Sequence, residues 1–171
     1  MKNITLLILL VISTSSTFAL EAKDLTGMWY LPKNNDGLIA VANLFQKDNK
    51  FYGIGFSYSD GEVNPNKDIN NPDPALRDRL IRNSMIVNGI EIQNNKLANG
   101  EIYNPEAGKY YYLNGTLSDD KKTITWKATI DKAGLFGKTL IWTKVEDPTR
   151  FTNSLHSPSE LNSLIPIRQK Q

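Results

Sequence analysis

The chain has 171 residues, with 20 Lys and Arg against 18 Asp and Glu and a formal net charge of +2. One of those basic residues, Lys2, belongs to an N-terminal leader, so the body of the chain is nearly neutral and has no overall basic excess to hold nucleic acid or an anionic membrane. The absence of cysteine excludes a disulfide-stapled scaffold and leaves packing to hold the fold.

The first 20 residues have the three parts of a secretory signal. Lys2 supplies the positive start, 4–12 is an apolar run interrupted only by Thr5, and Thr17 and Ala19 stand at the −3 and −1 positions of a cleavage site. A spanning helix needs about 20 apolar residues, and Ser13 to Thr17 are polar. An export signal is therefore expected rather than an anchor. No Cys follows the apolar run, which removes lipid attachment. The expected organisation is a signal at 1–20, one domain at 21–146 and a polar tail at 147–171, in a bacterial periplasm or in the medium, with no stable membrane insertion after cleavage.

After the leader come short runs of β-branched and aromatic residues separated by Asn, Asp and Gly. Strands are expected at 25–31, 38–45, 50–58, 85–93, 97–103, 109–117, 122–130 and 138–145. In the third, Tyr52, Ile54, Phe56 and Tyr58 alternate with Gly53, Gly55 and Ser57, which assigns the aromatics to one face and the glycines to the other. Asp48-Asn49, Asn94-Asn95 and Asp119-Asp120 suit tight hairpins, because Asn and Asp tolerate positive φ. Successive hairpins make an up-and-down meander, and about eight strands close into a barrel with room for a small ligand. The expected fold class is all-β, an eight-stranded up-and-down antiparallel barrel; a two-sheet sandwich of the same strands is the alternative.

One connection, 59–83, is too long for a hairpin and holds Pro65, Pro72 and Pro74. Such a loop is expected to serve as a lid or rim, with one helical turn at 74–78 led by Pro74. Asp68, Asn71 and Asp73 are suited to capping turns before proline, and Arg77 and Arg79 to tying the loop down through Asp68 or Asp73. Alternatively, the arginines face the barrel mouth to meet a carboxylate or phosphate. Asp68, Asn70 and Asp73 resemble a calcium loop only superficially, since its glycine is missing and Pro72 interrupts it. The single histidine, His156, lies in the tail. No catalytic residue, metal or cofactor is therefore expected.

Leu25-Thr26-Gly27-Met28-Trp29-Tyr30 resembles the Gly-x-Trp signature of the calycin superfamily, which includes the lipocalins. The resemblance implies that Gly27, Trp29 and Trp142 belong to the structure closing the barrel and that Lys144 covers Trp29. Three further blocks, 68–79, 100–109 and 135–144, resemble a bacterial family of exported, lipocalin-like proteins known as a domain of unknown function. Asn104 stands where that family usually has Asp, Leu97 where it often has Trp, Lys144 where Arg is usual and Asn83 where Gly is typical. The loss of Trp at 97 is expected to reshape the pocket. The resemblance implies fold and export, and no activity.

Tyrosines are too numerous for a dry core, since each buried hydroxyl needs a partner. Tyr52, Phe56, Tyr58, Tyr103, Tyr111 and Trp126, with Arg77, are the expected ligand-binding set. The expected function is an exported carrier for a small apolar or amphiphilic molecule. The alternative is a module with a filled barrel that meets a protein partner. A cavity of about 300 Å³ or more separates the two.

Overall fold

The structure is a computed structural model that describes residues 19–62, 65–82, 84–154 and 160. The expected leader up to residue 18, Asn83, His156 and most of the 157–160 helix signal lie outside the described residues. The strands are β1 (Gly27–Lys33), β2 (Ile39–Lys47), β3 (Lys50–Tyr58), β4 (Ser84–Gln93), β5 (Lys96–Asn104), β6 (Lys109–Leu117), β7 (Thr123–Thr129) and β8 (Gly137–Lys144). Each pairs antiparallel with its chain neighbour, and β8 returns to β1, so the eight strands form a closed barrel without a free edge. The sandwich alternative is excluded. A single helical turn, α1 (Ala22–Leu25), precedes β1 where a strand was expected to begin.

Two of the three expected turn pairs have the conformation their residues favour. Asp48 and Asn49 have φ of 49° and 62°, and Asn94 and Asn95 have 50° and 58°, so both central residues of each two-residue hairpin are left-handed, as the strand twist prefers. The β6–β7 turn differs: the left-handed residue is Lys121, at φ 61°, rather than Asp119 or Asp120. There Ser118 Oγ accepts from the Thr123 amide and an Asp120 oxygen accepts from the Lys122 amide, which stabilises a longer loop.

β3 departs from simple alternation. Val41 faces Ser57, but Ala42 faces Gly55, so Phe56 is an extra residue in a bulge. The bulge reverses the inside–outside parity of the last residues of the strand. Before it Phe51, Gly53 and Gly55 face the interior, and after it Tyr58 does. Tyr52 and Ile54 therefore lie outside, with Phe45 and Met85, opposite to the expectation that the aromatics of this strand share an inner face.

The interior glycines make room for their neighbours. A Cβ on Gly53 would stand 2.7 Å from Leu44 Cδ2, one on Gly100 2.0 Å from Ile90 Cδ1, and one on Gly115 2.6 Å from Trp126 Cε3. Large side chains lie across these positions and fill the half of the barrel nearest α1. Phe51, Leu44, Ile90, Leu97, Leu113 and Ile124 are all buried there. Leu97 thus belongs to this packed half and is absent from the cavity lining.

The start of the expected polar tail docks on the barrel's outer face. A 3₁₀ segment, Pro148–Ser154, places Phe151 against Met28, Val41 and Val145. Tyr30 meets Phe151 edge-on at 6.4 Å between ring centroids.

Candidate functional site

The two ends of the barrel are built differently. At the α1 end, Trp29 donates from Nε1 to the Leu25 carbonyl at 2.9 Å, while Lys144 Nζ stands 5.2 Å from its ring centroid and donates to the Asp24 carbonyl at 2.9 Å. Partial burial lowers the Lys144 pKa. Gly27 enters β1 at φ 112°, a conformation glycine adopts without strain. Gly27, Trp29 and Lys144 therefore take the positions that the Gly-x-Trp resemblance implies.

The opposite end is open. Between the packed half and the mouth lies a cavity of about 870 Å³, walled by Leu31, Ala40, Ile86, Ile102, Tyr111 and Leu140. Among its lining residues on β8, Trp142 is the one nearest the closed end and, itself fully buried, underlies the floor. Trp126 meets Trp142 edge-on at 5.7 Å, fully buried and outside the lining. Both tryptophans are core, and it is Trp142, not the expected Trp126, that touches the cavity. Neither indole Nε1 has a hydrogen-bond partner among the described residues.

Polar groups gather at the mouth. Tyr58 brings its ring there, and its phenol is pushed up by burial first and then by the charges of Asp36, Glu106 and Asp60. It therefore stays neutral and able to donate at neutral pH. Lys33 and Lys138, on neighbouring strands β1 and β8, also line the mouth. The entrance has acidic groups around Tyr58 and basic groups on the β1–β8 side.

The described part of the 59–83 connection contributes Asn66 and Ile81 to the wall of this mouth. Its anchor is Asp68, whose side chain is completely buried. One carboxylate oxygen accepts from Arg79 Nε at 3.1 Å, Arg79 Nη2 at 2.9 Å and Asn71 Nδ2 at 2.7 Å; the other accepts from the Tyr103 hydroxyl at 2.6 Å. Tyr103 projects from the face of β5 opposite Ile102 and lies against Tyr110, with centroids 4.7 Å apart. Burial and the hydrogen bond to Asp68 together raise its phenol well above the usual range. Asp73 accepts from the Ala75 amide at 2.9 Å and caps the turn Pro74–Leu76. Arg77 donates from Nε to the Asn71 carbonyl at 2.9 Å and is not in the cavity lining.

A second contact holds the loop to the β5–β6 turn. Asn70 Nδ2 donates to the Glu106 carbonyl at 3.0 Å, and a Cβ on Gly108 would stand 1.9 Å from the Asn70 carbonyl oxygen. Gly108 also has φ 61°. Gly108→Ala is expected to destabilise the fold by about 2–3 kcal/mol, since a strained φ costs of order 1–3 kcal/mol and the backbone contact must open as well. Chemical denaturation measures this; a loss below about 0.5 kcal/mol would mean that the loop is not seated on the turn.

The expected binding residues thus separate. Tyr58 and Tyr111 border the cavity, and Tyr103 touches it from β5 while its hydroxyl is turned away to Asp68. Tyr52 is outside against Phe45, at 6.0 Å between centroids, Arg77 is in the loop and Trp126 is in the core. The Phe56 side chain lies outside what the structure describes. Ile86, Ile102, Leu140 and Trp142 were not among the expected contacts; their interior parity on adjoining strands is the signal that could have found them.

Residues 27–144 match the model of a family described as "Uncharacterized protein conserved in bacteria (DUF2147)". The chain belongs to this family. Two of its resembling blocks now have a structural account: 68–79 forms the Asp68 anchor, and 100–109 supplies Tyr103 and Gly108, which receive it. Among solved structures, the chain is similar to protein HP1028 from the human pathogen Helicobacter pylori, described as belonging to the lipocalin family. The identity is 25%, the match covers 83% of this chain and 98% of that one, and the TM-score is 0.73. No curated protein matches the sequence.

Proposed function

We propose that this protein is an exported carrier that holds a small apolar or amphiphilic molecule in the open half of its barrel. The observation that carries the reading is the cavity of about 870 Å³ above a packed floor. Its size is within the range of about 300–1,000 Å³ common for small-molecule sites, and apolar walls with few polar groups suit such a ligand. The apolar part would lie against Ile86, Ile102, Leu140 and Trp142, with a polar end among Tyr58, Lys33 and Lys138. The sequence of residues 1–20 supports export. The lipocalin-like neighbour supports binding in a barrel. Binding is favoured over catalysis because the carboxylates bordering the cavity, Asp36 and Glu106, belong to turns at its entrance while its depth is apolar. A filled-barrel module for a protein partner is disfavoured by the empty upper half.

Fluorescence of N-phenyl-1-naphthylamine on titration with the protein tests the reading. The probe is expected to bind, and Ala40→Phe, which projects a ring into the cavity, is expected to weaken binding at least tenfold, about 1.4 kcal/mol, with little change in stability. Equal binding by the unaltered protein and Ala40→Phe would place the probe elsewhere and remove the cavity from the account.

A further inference from the structure

The β7–β8 turn displays three large apolar side chains to solvent beside the mouth. Ile130, Leu135 and Phe136 are 69%, 73% and 66% exposed. This display is built into the turn. The Asp131 carboxylate accepts from the Leu135 amide at 3.0 Å and from the Phe136 amide at 2.9 Å, and its pKa is lowered by those two bonds. The Asp131 carbonyl accepts from Thr129 Oγ1 at 2.9 Å and from the Gly134 amide at 3.1 Å, and the Ile130 amide donates to the Phe136 carbonyl at 3.0 Å. Gly134, at φ 75°, completes the reversal. The backbone is thus satisfied internally while the apolar side chains point away from any core, an arrangement that marks an interaction site.

Charge indicates the occupant. Lys132 lies within the turn and Lys138 just after it, both exposed, with Lys33 on the neighbouring strand at the mouth. The acidic side chains of the entrance, Asp36, Glu106 and Asp60, are those whose charges act on Tyr58. Asp131 is turned inward onto its own backbone. The chain as a whole is nearly neutral, so any attraction to an anionic surface must come from the lysines local to this turn. Apolar side chains among lysines suit a bilayer interface, where the first enter the acyl boundary and the second meet anionic headgroups.

We propose that the 130–136 turn is a membrane-contact site that seats the barrel mouth on an anionic bilayer. Ile130 and Phe136 belong both to the turn and to the cavity lining, so the apolar surface runs from the contact into the cavity. A lipid-like molecule could pass between the two without crossing bulk water. The contact goes beyond the carrier reading and stands without it; only the passage of a ligand rests on that reading.

The test uses vesicles of phosphatidylethanolamine with phosphatidylglycerol, and of phosphatidylcholine alone, in a flotation assay with the mature chain. Binding is expected to the anionic vesicles and to fall with salt. Leu135→Asp is expected to weaken it at least tenfold, and Lys132→Glu about fivefold or more. Neither residue lines the cavity, so N-phenyl-1-naphthylamine affinity without vesicles should stay within twofold of the unaltered protein. Failure of the probe to bind while flotation persists would sink the carrier reading and leave the membrane contact standing. Absence of flotation by the folded, unaltered protein would overturn the membrane contact, as would flotation indifferent to Leu135→Asp. A concentration-dependent dimer lost in Leu135→Asp, without vesicle binding, would overturn it in favour of a second copy on the same turn.

Discussion

Asp68→Ala should lower stability by about 3–5 kcal/mol, because it leaves buried donors without the charge they were arranged around. For a domain of this size the thermal midpoint is expected to fall by about 10 °C. The carboxylate gathers Arg79, Asn71 and Tyr103, and its removal strands all three. Tyr103 suffers most, since its ring is held between the loop and Tyr110 with its hydroxyl aimed at the vacated place. Tyr103→Phe removes only the hydroxyl and should cost less, about 1–3 kcal/mol, because Asp68 keeps its other donors. Arg79 is partly exposed and can recover water when its partner is lost. A double-mutant cycle between Asp68→Ala and Tyr103→Phe, read by chemical denaturation, should show clear coupling. A loss below 1 kcal/mol for Asp68→Ala would contradict the anchor. The same variant should weaken probe binding, since the loop it releases carries Asn66 and Ile81 into the cavity wall.

The order of strands could be read because turn residues and β-branched runs act locally. The pairs Asp48-Asn49 and Asn94-Asn95 carry their own backbone preference and marked two hairpins correctly. The inner face of β3 could not be read, because the bulge at Phe56 depends on pairing with β2 and no residue of β3 alone encodes it. Nor do Gly53 and Gly55 alone show which face they occupy; the Leu44 side chain lying over Gly53 is a property of the neighbouring strand. The anchor was legible in part. Asp68 and Arg79 stood out as partners within one segment, whereas Tyr103 lies 35 residues further along and meets Asp68 only through the barrel's closure.

Depth along the barrel axis was hardest to foresee, and the two tryptophans show why. Trp126 and Trp142 both point inward and both are fully buried, so periodicity treats them alike. Their strands are antiparallel neighbours, with Trp126 opposite Leu140 and Trp142 opposite Ile124, so they are offset along the barrel, and of the two only Trp142 touches the cavity. Trp126→Ala should therefore act on stability and hardly on binding. Truncating a buried Trp costs about 3–5 kcal/mol, with a midpoint lower by about 10 °C, while Trp142, the one of the pair that touches the cavity, stays in place. Probe affinity measured well below that midpoint is expected to remain within about threefold, less than about 0.7 kcal/mol. Trp142→Ala carries a similar stability cost and also removes the floor, so it should change affinity and ligand size preference together. Loss of binding in a folded Trp126→Ala variant would make Trp126 a ligand contact and move the floor to a different level of the barrel. Persistence of binding there, with its alteration in Trp142→Ala, would fix the boundary between packed core and cavity at a single indole.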